Sequence, residues 1–293
     1  MTDLRPRRSV LYMPAANARA LEKAKDIAAD ALIFDLEDAV APDAKEVARE
    51  QAAAAVASGE YGNRELTIRC NGLDTPWGAD DITAAAAVGP SAIVVPKVTG
   101  TDHLAEIAGA LEVADAPDHT SIWAMVETPE AIFAARDIAA FERVAVMVMG
   151  TNDLAKEMRA EQVAGRHSLV PYLAQSLLAA RAEGTVILDG VYNDIKNEEG
   201  FLAECRQGFE MGFDGKTLIH PKTLEAANRA FGPTEQDIDW SRRVVEVHAK
   251  AEAEGAGVVL LDGQLIENLH VEEARRVLAL AEMIEALAVE SSN

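Results

Sequence analysis

Eight short apolar runs, each closing on a charged, amide or proline residue and each followed by a segment of helical length, constrain this chain more than any other feature. Residues 9–13 lead to Pro14, and 31–34 lead to Asp35, Glu37 and Asp38. Residues 66–68 lead to Arg69 and Asn71, and 93–95 to Pro96 and Lys97. Residues 122–126 lead to Glu127, and 144–149 to Gly150, Asn152 and Asp153. Residues 186–188 lead to Asp189, and 215–219 to His220. Eight strands alternating with helices predict an α/β fold, a (β/α)8 TIM barrel, in which the chemistry collects at the C-terminal ends of the strands.

The intervening segments read as helices at 17–27, 43–56, 77–88, 102–113, 129–138, 168–183, 198–211 and 221–230. Asn17 is placed to cap the first, Pro129 and Pro221 suit first turns, and Gly212 and Gly232 suit helix ends. A barrel needs about 250 residues, so the 293 residues hold one barrel and a C-terminal appendage. We expect the barrel over 1–232 and the appendage over 233–293. The appendage reads as a helix at 234–254, a strand-like run at 258–261 ending in Asp262 and Gly263, and a helix at 271–288. It is too small to stand alone, so its apolar face is expected to pack on the barrel or on a neighbouring subunit.

The net charge of -22 argues against nucleic acid and anionic membranes as partners, because phosphate recognition needs a basic face. No run approaches the ~20 apolar residues of a membrane span, and the N-terminal arginines are not followed by the apolar core of a secretory signal. Cys70 and Cys205 lie far apart and make no metal spacing. Both are expected reduced, in a cytoplasmic protein.

Glu127 and Asp153 follow different strands and can enter one barrel mouth. Two carboxylates completed by water and substrate oxygens suit magnesium; alternatively, each caps the helix after it. Asp35, Glu37 and Asp38 crowd three carboxylates into four residues, either as a solvated loop, as a partner for Arg69, or as holders of metal-bound water. Arg69 can read a carboxylate with its planar fork or pair internally with Glu37 and Asp38. Lys97 shares its geometry. Asn17, Arg19, Lys23 and Lys25 in the first loop and helix could receive phosphate, or form a charged solvated face. Ile219 and His220 close the eighth strand, where His220 is an acid/base candidate or a loop residue. Asp262 reads as a turn residue.

The motifs Ser-Val-Leu-Tyr-Met-Pro (9–14), Phe-Asp-Leu-Glu-Asp-Ala-Val (34–40), Arg-Cys-Asn-Gly (69–72), Val-Pro-Lys (95–97), Glu-Thr-Pro (127–129) and Gly-Thr-Asn-Asp-Leu-Ala (150–155) occur in this order. Asp-Gly-Lys-Thr-Leu-Ile-His-Pro (214–221) and Leu-Asp-Gly (261–263) follow. Together, over nearly the whole chain, they resemble the citrate lyase beta-subunit-like branch of the aldolase superfamily, which includes malyl-CoA lyases. The resemblance implies a magnesium-dependent enzyme, with manganese as an alternative, acting on coenzyme A esters of hydroxy-dicarboxylic acids as a trimer or hexamer. It implies Glu127 and Asp153 as metal ligands, Arg69 as binder of the substrate carboxylate, and Glu37 and Asp38 as organisers of metal waters. Asn17, Arg19 and Lys23 fall where the coenzyme A phosphates are held, and Asp262 becomes an acid/base residue given to a neighbouring subunit.

The tail Gly-Gln-Leu-Ile-Glu-Asn-Leu-His (263–270) most resembles (3S)-malyl-CoA thioesterases, where lyases often carry lysine at the place of Gln264. The first loop, Tyr12 to Ala16, departs from the family's usual glycine-serine version. Thioester hydrolysis of (3S)-malyl-CoA is therefore the expected activity. The alternatives are a malyl-CoA or citramalyl-CoA carbon–carbon lyase, a citrate lyase-like accessory subunit, and an aldolase of free pyruvate and aldehydes.

Overall fold

The computed structural model describes residues 5–290; residues 1–4 and 291–293, the outer ends of the two expected segments, lie outside the described residues. The chain divides into two compact units, one of them Arg7–Phe231 and the other beginning at Gly232.

In the first unit, eight parallel strands close a barrel in sequence order. They are β1 (Ser9–Pro14), β2 (Ala31–Asp35), β3 (Glu65–Arg69), β4 (Ala92–Val95), β5 (Ser121–Val126), β6 (Val144–Met149), β7 (Val186–Asp189) and β8 (Gly215–Leu218). Their near-continuous apolar sequence is what a sheet covered on both faces requires. Alternate residues face inward: Val10, Ile33, Val94, Trp123, Met125, Val146, Val148 and Leu188 fill the lumen. Their neighbours Leu11, Phe34, Ile68, Ile93, Met147 and Ile187 pack outward in a second cluster shared with the helices. Below the lumen, Arg7 forks onto Glu65 (Nε–Oε2 2.6 Å, Nη2–Oε1 2.8 Å) and lies 5.6 Å from the Trp123 ring.

All eight expected runs are strands. Three of them reach further than expected and take in the charged residue itself, so Asp35, Arg69 and Asp189 are strand residues rather than loop residues. Helix ends depart more. The expected 17–27 helix is only Ala18–Ala24, and 129–138 breaks at Ala134 into Pro129–Phe133 and Ala135–Ala139. A two-turn helix, Thr151–Glu157, occupies a stretch too short to show an apolar period.

One strand-end charge does not serve the mouth. Asp189 is fully buried and turned toward the Glu198–Met211 helix, held by Arg166 (Nη1–Oδ1 2.5 Å) and Lys216 (Nζ–Oδ2 3.0 Å). Glu204 from that helix completes the cluster, 2.8 Å from Lys216 Nζ. A Cβ at Gly208 would sit 2.8 Å from Asp189 Oδ2, so the helix needs glycine there to approach.

The second unit pairs helix Glu235–Ala253 with helix Asn268–Glu290. Between them β9 (Val259–Leu261) and β10 (Gln264–Ile266) form an antiparallel hairpin. The second of these strands was not expected. Its two-residue turn is Asp262-Gly263, both at positive φ (49° and 83°), the backbone of a type I′ turn. Val244, Ile266, Val271 and Ala274 form this unit's apolar centre. Among the described residues no helix is long and apolar enough to cross a membrane.

Burial alone would push the Asp189 carboxyl up, but Lys216 and Arg166 hold it below its ordinary value. A depressed folded pKa stabilises above the unfolded value, about 3.9, and that stability is lost as pH falls through the lower folded value. Asp189→Asn should therefore cost a constant amount of stability, about 3 kcal/mol for a broken buried pair, between pH 5 and pH 7. The deficit should shrink below about pH 4. Urea unfolding of both proteins across this range checks it, and a deficit that ignores pH contradicts the pairing.

Candidate active site

The mouth of the barrel is organised by one fork. Asp35 and Arg69 end adjacent strands and are register partners. Arg69 donates Nε to Asp35 Oδ1 (2.7 Å) and Nη2 to Asp35 Oδ2 (2.6 Å), with both side chains buried. The other edge of the guanidinium meets Glu37 (Nη1–Oε2 2.8 Å) and, more distantly, Asp38 (3.7 Å). Its face lies 4.8 Å from the Tyr12 ring, and Nη1 touches Met125 Sδ at 4.0 Å. The internal pairing expected for Arg69 is thus present, but its principal partner is Asp35, not Glu37 or Asp38.

Asp35 also receives the backbone N–H of Glu37 (2.9 Å) and of Ala39 (3.1 Å). It fixes Arg69 and the acidic loop together. Glu37, partly buried, has its carboxyl pushed up by burial against the pull of Arg69, with Asp38 and Asp35 adding to the rise. Asp38 is exposed.

Glu127, one residue past β5, is 2% exposed. Its Oε1 accepts the backbone N–H of Lys97 at 2.7 Å. Lys97 presents that N–H from a positive φ of 50°, a conformation uncommon for a side chain of this size and of the kind that collects at functional sites. The Lys97 ammonium lies 3.8 Å from Glu37. Burial pushes the Glu127 carboxyl up to about 7, partly opposed by the Lys97 N–H and by Arg69, and reinforced by the negative charges of Asp153 and Glu37.

Neither carboxylate caps the helix after it. Thr128 does so for Pro129–Phe133, accepting Ala131 N–H at 3.1 Å, and Gly150 occupies the cap position of Thr151–Glu157. Asp153, half-buried in the first turn of that helix, is free of the capping role. Gly150 is a cradle for its partner: a Cβ there would meet Glu127 Oε2 at 2.2 Å. Buried, mutually repelling carboxylates are the donor set that a hard divalent cation satisfies. Among the described residues no group of three or more His, Cys, Asp or Glu side chains is poised for a metal, so a cation here would take much of its coordination from water and substrate.

A cleft of about 700 Å³ opens beside Glu37 and Asp38 and is walled by Lys45, Trp77, Lys97 and His103. The first loop is tied to the same end of the barrel through Ala15 N–H and Asp35 O (3.1 Å). Asn17 caps the first helix, its Oδ1 accepting Ala20 N–H at 3.1 Å. Lys25 is held by Glu22 and Glu60, whereas Arg19 and Lys23 stand exposed one turn apart on one helix face. Ile219 is exposed past the end of β8. His220 Nδ1 accepts Lys222 N–H (3.1 Å), so that nitrogen is engaged in capping the turn at Pro221–Thr223. Asp262 lies in the second unit, at the hairpin tip, 60% exposed and 2.5 Å from Arg243 Nη2.

The cluster of Asp35, Glu37 and Asp38 was expected as a partner for Arg69, and within it Asp35 is the principal one. The sequence carries no signal for Tyr12 and Met125 around the guanidinium or for the Lys97 N–H on Glu127.

Gly150→Ala should displace Glu127 and destabilise the protein by about 1–3 kcal/mol, the usual cost of overpacking. Chemical denaturation reads this directly; an unchanged midpoint would mean that Glu127 is not packed against Gly150.

Residues 8–221 match the family model for HpcH/HpaI aldolase/citrate lyase. The chain is 48% identical over 281 residues to a (3S)-malyl-CoA thioesterase of Cereibacter sphaeroides, an alignment that covers 96% of each chain. It is 36% identical over 285 residues to the citrate lyase subunit beta of Escherichia coli K12, covering 95% of this chain and 94% of that one. Among solved structures, CitE from Mycobacterium tuberculosis in complex with magnesium, acetoacetate and coenzyme A superposes with a TM-score of 0.76 at 28% identity, covering 96% of this chain and all of that one. The closed eight-stranded barrel, the strand-end carboxylates and these full-length similarities together make the chain a member of the HpcH/HpaI aldolase/citrate lyase family.

Proposed function

We propose that this chain is a magnesium-dependent thioesterase that hydrolyses (3S)-malyl-CoA to malate and coenzyme A, with manganese able to replace magnesium. The similarity to the Cereibacter sphaeroides thioesterase supports the substrate. The magnesium and coenzyme A held by the Mycobacterium tuberculosis relative support the cofactor and the ester class. The observation that carries the reading is the juxtaposition of an arginine fork with the buried carboxylate Glu127 and the nearby Asp153 at one barrel mouth. That pairing suits a small anionic acyl group bearing a hydroxyl.

In this reading Glu127 and Asp153 hold the metal, and Glu37 and Asp38 orient its waters. Magnesium, when bound, supplies Lewis-acid polarisation of the acyl group's oxygens. Arg69 receives the free carboxylate at its outer edge, where a charge-assisted bond replaces the weak Met125 thioether contact. Asp35 keeps the guanidinium oriented during that exchange. Tyr12 and Met125 exclude water from below. Asn17, Arg19 and Lys23 lie on the side that takes the coenzyme A phosphates, with Ile219 and His220 lining the approach of the substrate. Asp262, given to the site by a neighbouring subunit in a trimer or hexamer, takes a proton from the attacking water. The water oxygen bonds to the thioester carbonyl carbon, the tetrahedral intermediate collapses with cleavage of the C–S bond, and the proton held by Asp262 passes to the departing sulfur, so that malate and the coenzyme A thiol are released.

The segment 233–293 in this reading packs on the barrel or on that neighbour. Two buried free cysteines fit a reducing, cytoplasmic setting.

The citrate lyase similarity favours a second reading, carbon–carbon cleavage to acetyl-CoA and a 2-oxo acid, or service as an accessory subunit of such a lyase. In cleavage, Asp262 would instead protonate the enolate carbon. One incubation with (3S)-malyl-CoA and magnesium, read for free thiol, acetyl-CoA and glyoxylate together, separates them. Free thiol and malate without glyoxylate is the expected result. Acetyl-CoA with glyoxylate would make the chain a lyase, and inactivity on free coenzyme A esters would favour the accessory subunit. Asp153→Ala should abolish magnesium-dependent turnover with the fold intact by circular dichroism; full activity in that variant removes the metal assignment.

A further inference from the structure

Lys45 opens the helix Lys45–Ser58 and is 5% exposed, although it borders the cleft. Its ammonium donates to Leu36 O (2.7 Å), Glu37 O (2.7 Å) and Asn71 Oδ1 (2.8 Å). Three protons meet three acceptors, so the group is spent entirely inside the protein. It rests 5.2 Å from the Trp77 ring.

Two of the three acceptors are the carbonyls of the peptides on either side of Glu37. Asp35 holds the N–H groups of Glu37 and Ala39 on the opposite side of the loop. The acidic loop is thus pinned by a carboxylate through its donors and by an ammonium through its acceptors. Asn71 extends the hold: its Nδ2 donates to Leu36 O (2.9 Å) and to Asp81 Oδ2 (2.6 Å), and Asp81 is in turn paired with Arg49 (Nε–Oδ1 2.7 Å).

Burying an ammonium is costly unless it is fully hydrogen-bonded. A solvated acidic loop would not need one, and an apolar side chain would fill the space beside Trp77. What the loop does need is an opposing charge, because Asp35, Glu37 and Asp38 repel one another and would splay apart.

We infer that Lys45 is a positioning residue: by fixing both peptide planes of Glu37 it keeps Glu37 and Asp38 facing Arg69 and the Glu127–Asp153 pair, and so sets the affinity of this mouth for a divalent cation. The inference rests on the magnesium site proposed above.

The test measures Mn²⁺ binding by electron paramagnetic resonance, thermal unfolding and steady-state turnover of (3S)-malyl-CoA for the wild type, Lys45→Met and Arg49→Met. Arg49→Met breaks the far end of the same network without touching the loop carbonyls. Lys45→Met should weaken Mn²⁺ about tenfold and lower kcat at least as much, as loss of an outer partner does at metal sites, with KM for the ester within about twofold. Arg49→Met should lower the unfolding midpoint and keep the wild-type Mn²⁺ affinity.

A folded Lys45→Met with wild-type Mn²⁺ affinity overturns the inference. So does an Arg49→Met that loses Mn²⁺ equally, because the role of the network would then be structural only. If Lys45→Met does not fold, Lys45→Gln, which keeps a donor for one carbonyl, should give an intermediate Mn²⁺ affinity, and wild-type affinity there is equally fatal. A wild type that binds Mn²⁺ but does not cleave malyl-CoA refutes the substrate and leaves the Mn²⁺ comparison to decide this point. A wild type that binds no Mn²⁺ overturns both.

Discussion

The fork between Asp35 and Arg69 is the constraint on which the mouth of this barrel depends. It exists because β2 and β3 run parallel in a register that sets their last residues side by side. Once formed, it determines three other things. The Arg69 guanidinium is turned so that its free edge points toward Glu37 and Met125. The Asp35 oxygens that remain available gather the N–H groups of the following loop. The positive charge is delivered beside Glu127, where it partly offsets burial. Because both partners are buried, a pair broken on one side leaves an uncompensated charge, which costs far more than the intact pair contributes.

The rest of the mouth has an excess of negative charge that the protein does not neutralise with its own side chains. Arg69 and Lys97, with Lys45 behind the loop, are three cations against the five carboxylates of Asp35, Glu37, Asp38, Glu127 and Asp153. Burial is the main cause of the raised carboxyl of Glu127, and the charges of Asp153 and Glu37 add to it. The buried cluster behind β7 behaves differently: Arg166 and Lys216 balance Asp189 and Glu204, and Asp189 is held down. The same residue types thus produce opposite shifts. A matched set is structural, and the unmatched one is what the function proposed above assigns to a cation.

This contrast also explains what was legible in the sequence. The barrel was legible because apolar runs buried on both faces cannot be disguised, and the positions of Glu127, Asp153, Arg69 and Glu37 at the mouth were legible because each lies at a strand end or within four residues past one. Asp189 shows the limit. It follows its apolar run as Glu127 does, yet a pleat of one residue turns it outward to Lys216 and the helix layer. The anchor role of Asp35 depended on whether β2 ended before or at that residue, and a one-residue boundary is not fixed by pattern. The Lys97 N–H depended on a positive φ that no side-chain type announces. The second strand of the hairpin was within reach, because Asp-Gly between short apolar runs is a strong two-residue turn signal.

Asp262 joins the two readings that the sequence kept apart. As a turn residue it is explained by backbone alone: a type I′ turn needs positive φ at both positions, which Asp tolerates better than most residues and Gly tolerates freely. The same turn gives the carboxylate its exposure. Asp262 stands at the hairpin tip, largely exposed, and pairs with the exposed Arg243. An exposed pair of this kind is worth little, typically under 1 kcal/mol, so releasing the carboxylate to a reaction costs almost nothing. The turn therefore leaves this carboxylate available for the proton transfer proposed above, and a role in one is no argument against the other.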